Sequence, residues 1–316
     1  MLTEFNQGTT SGKISFRGFN GEGEVNAVKL LIDGIPSNSN DGNMPYMDMI
    51  FPMELDSIEV VRGTSDARYG LNNIAGNANM ITRTGGDYTK ARLRYGSFNT
   101  QETQLAKGIE GSNWTQNYFF AYQKSDGYRD HAEADKFSMS GKWFYTPDDD
   151  SYRIGLIARH YESEAQEPGY LREEDARHHP EMTNSFNATD KGTRRMNQVS
   201  LHFDTDLAET LAWSAKTYVN TFDDRRWTQY WSTSAQQERD AYETQYGALT
   251  SLTWRPEISW LYDFALEGGA DIQQQQNKSE RYRTRDRTRL ATTRDQQFDF
   301  DTYGAYVQAE IKPFES

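Results

Sequence analysis

The sequence predicts a mainly β protein: a small mixed α/β unit over residues 1–84, then, over 85–316, an incomplete antiparallel up-and-down transmembrane β-barrel with about ten strands. Three observations carry that prediction. Stretches of the second part alternate apolar and polar residues with period 2; their connections alternate between short and long; and the apolar residues, 35% of the chain, never run unbroken for the roughly 20 positions a membrane helix needs.

Composition bounds function before any motif is read. The 316 residues include no cysteine, which excludes a disulfide scaffold and a thiolate metal site. A net charge of −13 and a pI near 4.9 argue against nucleic acid as the main partner, because neutralising phosphates takes a basic face. A mean hydropathy of −0.90 leaves a soluble globule or a β-barrel, in which outward apolar and inward polar residues average out. Nineteen Tyr and seven Trp favour strands. Met1 to Thr10 contain neither a basic nor an apolar targeting stretch, so the chain reads as cytoplasmic, already processed or truncated.

The first unit is Gly- and Asn-rich. Short β-like pieces, Val28 to Ile32 and Ser57 to Val61, are separated by turn formers such as Asp33-Gly34 and Asp41-Gly42-Asn43, and the texture changes at Thr84-Gly85-Gly86. From about Lys90 onward the alternation is sustained. Trp260, Tyr262, Phe264, Leu266, Gly268, Ala270 and Ile272 oppose Asp263, Glu267, Gly269, Asp271 and Gln273. Phe137, Met139, Gly141, Trp143 and Tyr145 oppose Lys136, Ser138, Ser140 and Lys142; Leu211, Trp213, Ala215 and Val219 oppose Ser214, Lys216 and Asn220; Tyr303 to Ile311 follows the same rule. Such a pattern makes a sheet with one apolar and one polar face.

Short turns near 110–113, 147–150, 206–209 and 255–258 alternate with long polar connections near 124–135, 163–192, 222–239 and 273–299. In a meander every second connection lies at the same end, so one end is trimmed and the other decorated, as in an outer-membrane barrel. A soluble β-sandwich shows alternation too, but with connections of less regular length. Trp114, Trp143, Tyr145, Trp254 and Trp260 near strand ends fit an interfacial girdle and favour the barrel.

Motifs in the first unit now become legible. Ile14-Ser15-Phe16-Arg17-Gly18-Phe19, Leu31-Ile32-Asp33-Gly34-Ile35-Pro36 and Ile58-Glu59-Val60-Val61-Arg62-Gly63 are followed by Arg68-Tyr69-Gly70, Gly76 and Ile81-Thr82-Arg83. In that order they resemble the plug domain of TonB-dependent outer-membrane receptors, the Arg-Tyr-Gly variant being most similar to the ferric-dicitrate type. Gly18, Gly34 and Gly63 fall where a strand turns sharply or approaches another backbone, and Pro36 where a ladder ends. Arg17 and Arg62 follow apolar runs, which calls for burial and carboxylate partners, within the plug or on the wall. Ala75-Gly76 replaces the family's Gly-Gly, and Asn77 stands where an apolar residue is common.

The resemblance implies a fold, a place and a role. A closed ten-stranded barrel has a radius of only ~10 Å, too small for an 84-residue plug, whereas 22 strands give ~22 Å. Residues 85–316 are therefore expected to be about the first ten strands of a 22-stranded wall in the bacterial outer membrane. The implied function is active uptake of a scarce nutrient, most often an iron chelate of siderophore or ferric citrate type. The implied partners are that ligand, outer-membrane lipid and lipopolysaccharide, and a TonB-type energy-coupling protein. No contact segment for the coupling protein is visible ahead of the plug. By analogy with the family's apical loops, Glu22, Gly23, Glu24, Asn43, Met44 and Tyr46 face the ligand, and Arg17, Gly18, Asp33, Gly34, Arg62, Gly63, Tyr69 and Gly70 support the plug.

No catalytic set, cofactor or metal site is expected. His178-His179 beside Glu173, Glu174 and Asp175 match no zinc spacing and read as a solvated loop. Arg281, Arg283, Arg285, Arg287 and Arg289 recur with period 2, which would put five guanidinium groups on one strand face for an anionic chelate or lipopolysaccharide phosphates; a solvated hairpin balanced by Asp286 and Asp295 fits the same pattern. Trp227 and Tyr230, with Arg226 and Trp231, either stack on a planar ligand or belong to the girdle. The competing class is a soluble β-rich, lectin-like carbohydrate-binding protein, and a third is a barrel enzyme using Glu173 and His178.

Overall fold

The computed structural model describes residues 2–3, 13–14, 16, 27–39, 47–63, 66–70 and 73–314. Glu22, Gly23, Glu24, Asn43, Met44, Tyr46, Arg17 and Gly18 lie outside the described residues. Near the N-terminus β1 (Leu2–Thr3) pairs with β2 (Lys13–Ile14). A four-stranded sheet follows, built from β3 (Val28–Ile32), β4 (Ile35–Pro36), β5 (Leu55–Arg62) and β6 (Gly76–Thr82) in the order β4-β3-β6-β5. Strands β3 and β6 run parallel, and the other pairs antiparallel. Asp33-Gly34 makes the β3–β4 turn with φ values of 52° and 78°, the left-handed region that Asp tolerates and Gly adopts freely.

Residues 83–87 lead into ten strands: β7 (Tyr88–Gly96), β8 (Thr100–Glu110), β9 (Trp114–Ser125), β10 (Ala134–Tyr145), β11 (Tyr152–Gln166), β12 (Lys191–Ala208), β13 (Leu211–Thr228), β14 (Gln236–Trp254), β15 (Asp263–Arg285) and β16 (Thr288–Lys312). Each pairs antiparallel with its sequence neighbours, giving one open ten-stranded sheet edged by β7 and β16. A single-turn helix, α1 (Glu173–His178), sits in the longest connection.

Strands β7 to β11 have the expected 8–15 residues, but β12 to β16 are longer, rising from 18 residues to 25 in β16. At ~3.4 Å per residue this far exceeds the 9–11 residues a tilted strand needs to cross a bilayer, so the upper halves of β12 to β16 stand beyond the hydrocarbon. Two expected long connections shrink accordingly. Residues 229–235 join β13 to β14, and a two-residue turn at Asp286-Arg287, φ 47° and 65°, joins β15 to β16. The reason is physical: above the membrane both strand faces are polar, and alternation disappears from the sequence while pairing continues. A further tight turn, Ser97 to Asn99, sits at the decorated end.

The two faces of the wall separate as the alternation requires. Tyr303 and Val307 are 72% and 74% exposed on the outer face, where lipid lies, whereas Trp260 and Tyr262, expected in the alternating strand, fall in the connection before β15, which begins at Asp263. Around the end with the short turns, ring contacts run Trp114–Tyr145, Tyr145–Tyr152, Tyr152–Phe203 and Phe203–Trp213 at 5.2–6.3 Å, with Trp254–Phe264 beyond at 6.4 Å. This is a girdle at one interface. The inner face buries polar side chains: Gln104, Ser138, Gln198, Asn220 and Gln245 are inaccessible because the first unit lies against them.

Candidate ligand-binding site

The first unit fills the concave side of the wall as a plug, by apolar packing and by paired polar groups. Tyr161, Met196 and Phe222 stand in register on β11, β12 and β13 and pack on Phe16, Val28, Leu30, Ile32, Met49 and Met80. Backbone groups that the plug's loops leave unpaired are met by the wall. Asn220 Nδ2 donates to Pro36 O at 2.9 Å, Gln245 Nε2 to Asn38 O at 2.7 Å and Ser138 Oγ to Met49 O at 3.0 Å, while Asn117 Oδ1 accepts from Gly85 N at 2.8 Å. An unpaired buried backbone group costs about as much as a lost hydrogen bond, so these contacts fix the plug's seat.

The ionic part of that seat centres on Asp33, in the β3–β4 turn. Its carboxylate accepts from Thr82 N and Thr82 Oγ1, both at 2.8 Å, from Lys142 Nζ at 3.2 Å and from Arg159 Nη2 at 3.1 Å. Arg159 also holds Glu54, and Lys216 Nζ reaches Asp33 O at 3.4 Å. Burial alone would raise the Asp33 pKa, but Lys142, Arg159 and the Thr82 donors hold it below the usual carboxylate value. The expectation for Arg62 is corrected here: it is exposed on β5, and the plug–wall salt bridges described have acids on the plug and cations on the wall; Arg17 lies outside the described residues.

Asp66 forms a second knot, accepting from Arg68 Nε at 2.9 Å and from Asn77 Nδ2 at 2.9 Å. Asn77, anomalous for an apolar position, is thereby satisfied. Burial would raise Asp66, yet the bonds from Arg68 and Asn77 lower it. Tyr69, beside this knot, lines a crevice against the wall with Lys216, Glu267, Asp271 and Tyr306. Burial pulls the nearby Lys29 ammonium down to about 8, against the attraction of Asp271. Gly63 (φ 97°) ends β5 and donates to Ala75 O at 2.8 Å; Gly70 has an ordinary φ and open space around its Cβ position, so nothing described requires glycine there.

Above the plug the inner face changes character. Unbroken register carries the plug-facing side of Asn220, Gln245 and Gln275 up the strands to Arg226, Arg239 and Arg281, and Arg226↔Arg239, Arg239↔Arg281 and Arg281↔Arg294 are directly paired. Four arginines thus form one row across β13 to β16. Among the described residues no carboxylate pairs with Arg239, Arg281 or Arg294; Arg239 donates to Tyr230 Oη at 3.1 Å, and Arg226 holds Glu167 at 2.6 Å. Like charges directly opposite each other destabilise a sheet, so this row exists at a cost to the fold. Below it, on the same face, the rings of Phe298 and Phe300 stack at 6.2 Å.

The five-arginine expectation is corrected in part. Arg281, Arg283 and Arg285 share the inner side of β15, but the chain reverses at Asp286-Arg287, leaving Arg287 in the turn. Arg289 lies on the outer side, bound to Glu238 at 2.6 Å and Asp240 at 2.7 Å, with its guanidinium 3.8 Å from the Tyr282 ring centre. Trp227 is corrected too. It shares strand parity with Trp213 and Val219, faces outward and meets the Arg225 guanidinium, which removes it from the inner row. Tyr230 is brought to the row. Sequence reasoning missed Phe298 and Phe300, whose signal was the Phe-Asp-Phe-Asp alternation, and Arg239 and Arg294, which only strand register joins.

Connections at this end are tied together. Asp190 accepts from Gln229 N at 2.7 Å, Gln236 Nε2 at 2.7 Å and Asn187 Nδ2 at 2.8 Å. Arg129 donates to the backbone oxygens of Pro168, Gly169 and Met182. Burial raises the Asp190 pKa against these donors, and it pushes Glu167 up to about 7 against the pull of Arg226 and Arg194. The loop histidines His178 and His179 join no metal-binding group; no such group occurs among the described residues.

A plug seated inside an antiparallel wall with a lipid-facing girdle is the architecture of a gated outer-membrane receptor. Residues 2–77 match the family model "TonB-dependent Receptor Plug Domain". Residues 2–77 are thereby assigned to the plug-domain family of TonB-dependent receptors, and the solved structures that share the fold of the whole chain include an outer-membrane receptor. Among curated proteins it is 31% identical over 122 residues to the vitamin B12 transporter BtuB of Vibrio vulnificus, a stretch that is 34% of this chain and 20% of that protein. It is 27% identical over 156 residues to the ferrioxamine receptor of Yersinia enterocolitica, covering 48% of this chain and 21% of the receptor. Among solved structures it matches the unliganded ferric citrate transporter FecA with a TM-score of 0.82 and 16% identity, over 99% of this chain and 49% of FecA. The pyoverdine receptor FpvA of Pseudomonas aeruginosa PAO1 matches with a TM-score of 0.77 and 14% identity, over 98% of this chain and 50% of FpvA. The chain thus spans about half the length of these solved receptors, and the likeness shows the shared fold. The lectin-like alternative has no support.

Proposed function

We propose that residues 1–84 act as the plug, and 85–316 as the adjoining wall, of a receptor that captures an anionic iron chelate and takes it up with energy from a TonB-type partner. The observation that carries the ligand class is the inner arginine row. Arg239, Arg281 and Arg294 face the space above the plug without a carboxylate of their own, and Tyr230, Phe298 and Phe300 offer aromatic surface beside them. Guanidinium groups bind carboxylates through paired donors, which suits a polycarboxylate such as ferric citrate better than a chelate without negative charge. A ferric citrate transporter among the structural neighbours supports the anionic chelate, and a ferrioxamine receptor among the relatives supports an iron chelate as the ligand class. Binding and a change in the plug suffice for the role, and no covalent step is needed; the change requires that ligand contact differ between the two plug states.

The test is equilibrium binding of ferric citrate to outer-membrane vesicles carrying the protein. Arg281→Gln and Arg239→Gln should each weaken binding by roughly ten- to hundredfold, the value of a charge-assisted hydrogen bond, and added salt should weaken the wild type further. Equal affinity for an uncharged hydroxamate chelate, or unchanged binding in both variants, would refute the anionic reading.

A further inference from the structure

One member of the arginine row is already occupied. Arg226 Nε donates to both Glu167 oxygens, at 2.8 and 2.6 Å, and the Glu167 side chain is only 1% exposed. Glu167 is the first residue after β11, and its inward position is set locally: Glu167 N donates to Asp190 O at 3.1 Å, and the backbone oxygens of Pro168 and Gly169 beside it are held by Arg129. Outer-face arginines at this height are differently placed. Arg225 on β13 and Arg289 on β16 share Glu238 and Asp240, so two cations meet two acids carried by β14 between them. On the inner face, among the described residues, the single carboxylate bonded to the row comes from a loop, and it reaches only the Nε edge of Arg226.

We infer that Glu167 is an internal competitor for the ligand: its carboxylate stands at one end of the arginine row where a carboxylate of an anionic chelate would bind, and the ligand engages Arg226 by displacing it. This rests on the reading of the row as the anion site. Exchange of one carboxylate for another conserves the ion pair, so displacement costs little in charge terms, and burial already makes the ionised Glu167 expensive to keep in place. A carboxylate of this kind lowers affinity for small anions that offer too few groups to replace it. It selects for ligands with several carboxylates set to span neighbouring strands, about 4.8 Å apart. The site would then discriminate by the number and spacing of negative groups, a property that the row alone does not supply.

The test uses outer-membrane vesicles carrying the protein, with ferric citrate and free acetate as probes. Glu167→Gln should tighten ferric citrate binding by about tenfold and make acetate a measurable competitor; Arg226→Gln should weaken ferric citrate, and in that background Glu167→Gln should change nothing. Glu167→Ala, which leaves no amide to hold Arg226, should reproduce the tightening, and resistance to unfolding in detergent confirms that each variant is folded. If Glu167→Gln and Glu167→Ala weaken ferric citrate as much as Arg226→Gln does, Glu167 positions Arg226 and the inference is overturned. If Arg281→Gln abolishes binding while the Glu167 variants equal wild type, the inference fails and the anion site stands. If neither Arg226→Gln nor Arg281→Gln alters binding, the anion site itself falls and the inference with it.

Discussion

Replacing Asp33 with Asn removes one negative charge from the centre of the plug seat and little else. The side chain is 8% exposed and lies within 3.2 Å of both Lys142 Nζ and Arg159 Nη2. The amide keeps one acceptor for Thr82 but leaves two buried cations with Glu54 as their remaining acidic partner at the seat. Breaking a buried pair by removing one partner costs about 3–5 kcal/mol, because the abandoned charge stays desolvated. Spread over the plug–wall equilibrium, that is a shift of roughly a hundred- to several-thousandfold toward the released plug. The assay is amide hydrogen exchange in detergent micelles, comparing β3, β4 and β6 with wall strands β9 to β11. The plug strands should exchange faster by that factor, with the wall strands nearly unchanged.

The same charge predicts a pH dependence. Asp33 has a lower pKa in the folded protein than its ordinary value, so its contribution is full above about pH 4 and is lost as pH falls through the lower folded value. Plug protection in the wild type should therefore drop at acid pH, and Asp33→Asn should lack that part of the drop. Equal plug exchange in wild type and Asp33→Asn at pH 7 would refute the argument that this carboxylate holds the plug.

Two further outcomes follow from local geometry. Gly76→Ala would place a Cβ 2.0 Å from the Val61 carbonyl oxygen at a φ of 131°, and should disrupt β5–β6 pairing by more than about 4 kcal/mol in urea unfolding, whereas Gly70→Ala should stay within about 0.5 kcal/mol. Leu201→Arg, on the outer face of β12, should cost about 2–4 kcal/mol when folding is measured in liposomes, while Leu201→Val should be close to neutral.

What the sequence made legible was whatever period 2 records inside a bilayer. Lipid on one side and a plug on the other impose opposite demands on alternate residues, so Leu266 and Asp271 sort correctly from sequence alone. Above the membrane both sides meet water, the demand lapses, and β15 and β16 continue through residues that read as loop. The arginine row was only partly visible for a related reason. Arg281, Arg283 and Arg285 repeat along one strand, but Arg226, Arg239 and Arg294 join them through cross-strand register, which depends on turn lengths that a sequence does not fix. Asp33 was readable as a turn former; its partners Lys142 and Arg159 lie 109 and 126 residues away and had no local signature. The expectation for Arg62 failed because a charged residue after an apolar run was assigned burial, yet β5 is the edge strand of its sheet and leaves that side chain exposed.

The clamp and the row are joined by one strand. Arg159, which holds Asp33 and Glu54, and Glu167, which holds Arg226, lie eight positions apart in sequence along β11 and its extension, about 26 Å at ~3.3 Å per residue. No chelate bound at the row can touch Asp33 across that distance, so ligand and plug can be coupled only through an element with two arrangements that both sites bias. The top of β11 qualifies on one count: Glu167 has an occupied and a displaceable state. Its lower half qualifies on another, since Arg159 divides its donors between two plug carboxylates and would have to give both up for the plug to leave. Because β11 is hydrogen-bonded to β10 and β12 along its length, it cannot slide alone; what can change is the pull on the loop above it. A double-mutant cycle between Glu167→Gln and Asp33→Asn, read by plug hydrogen exchange with and without ferric citrate, isolates that coupling. A coupling energy near zero in both conditions would place the ligand's path to the plug elsewhere than along β11.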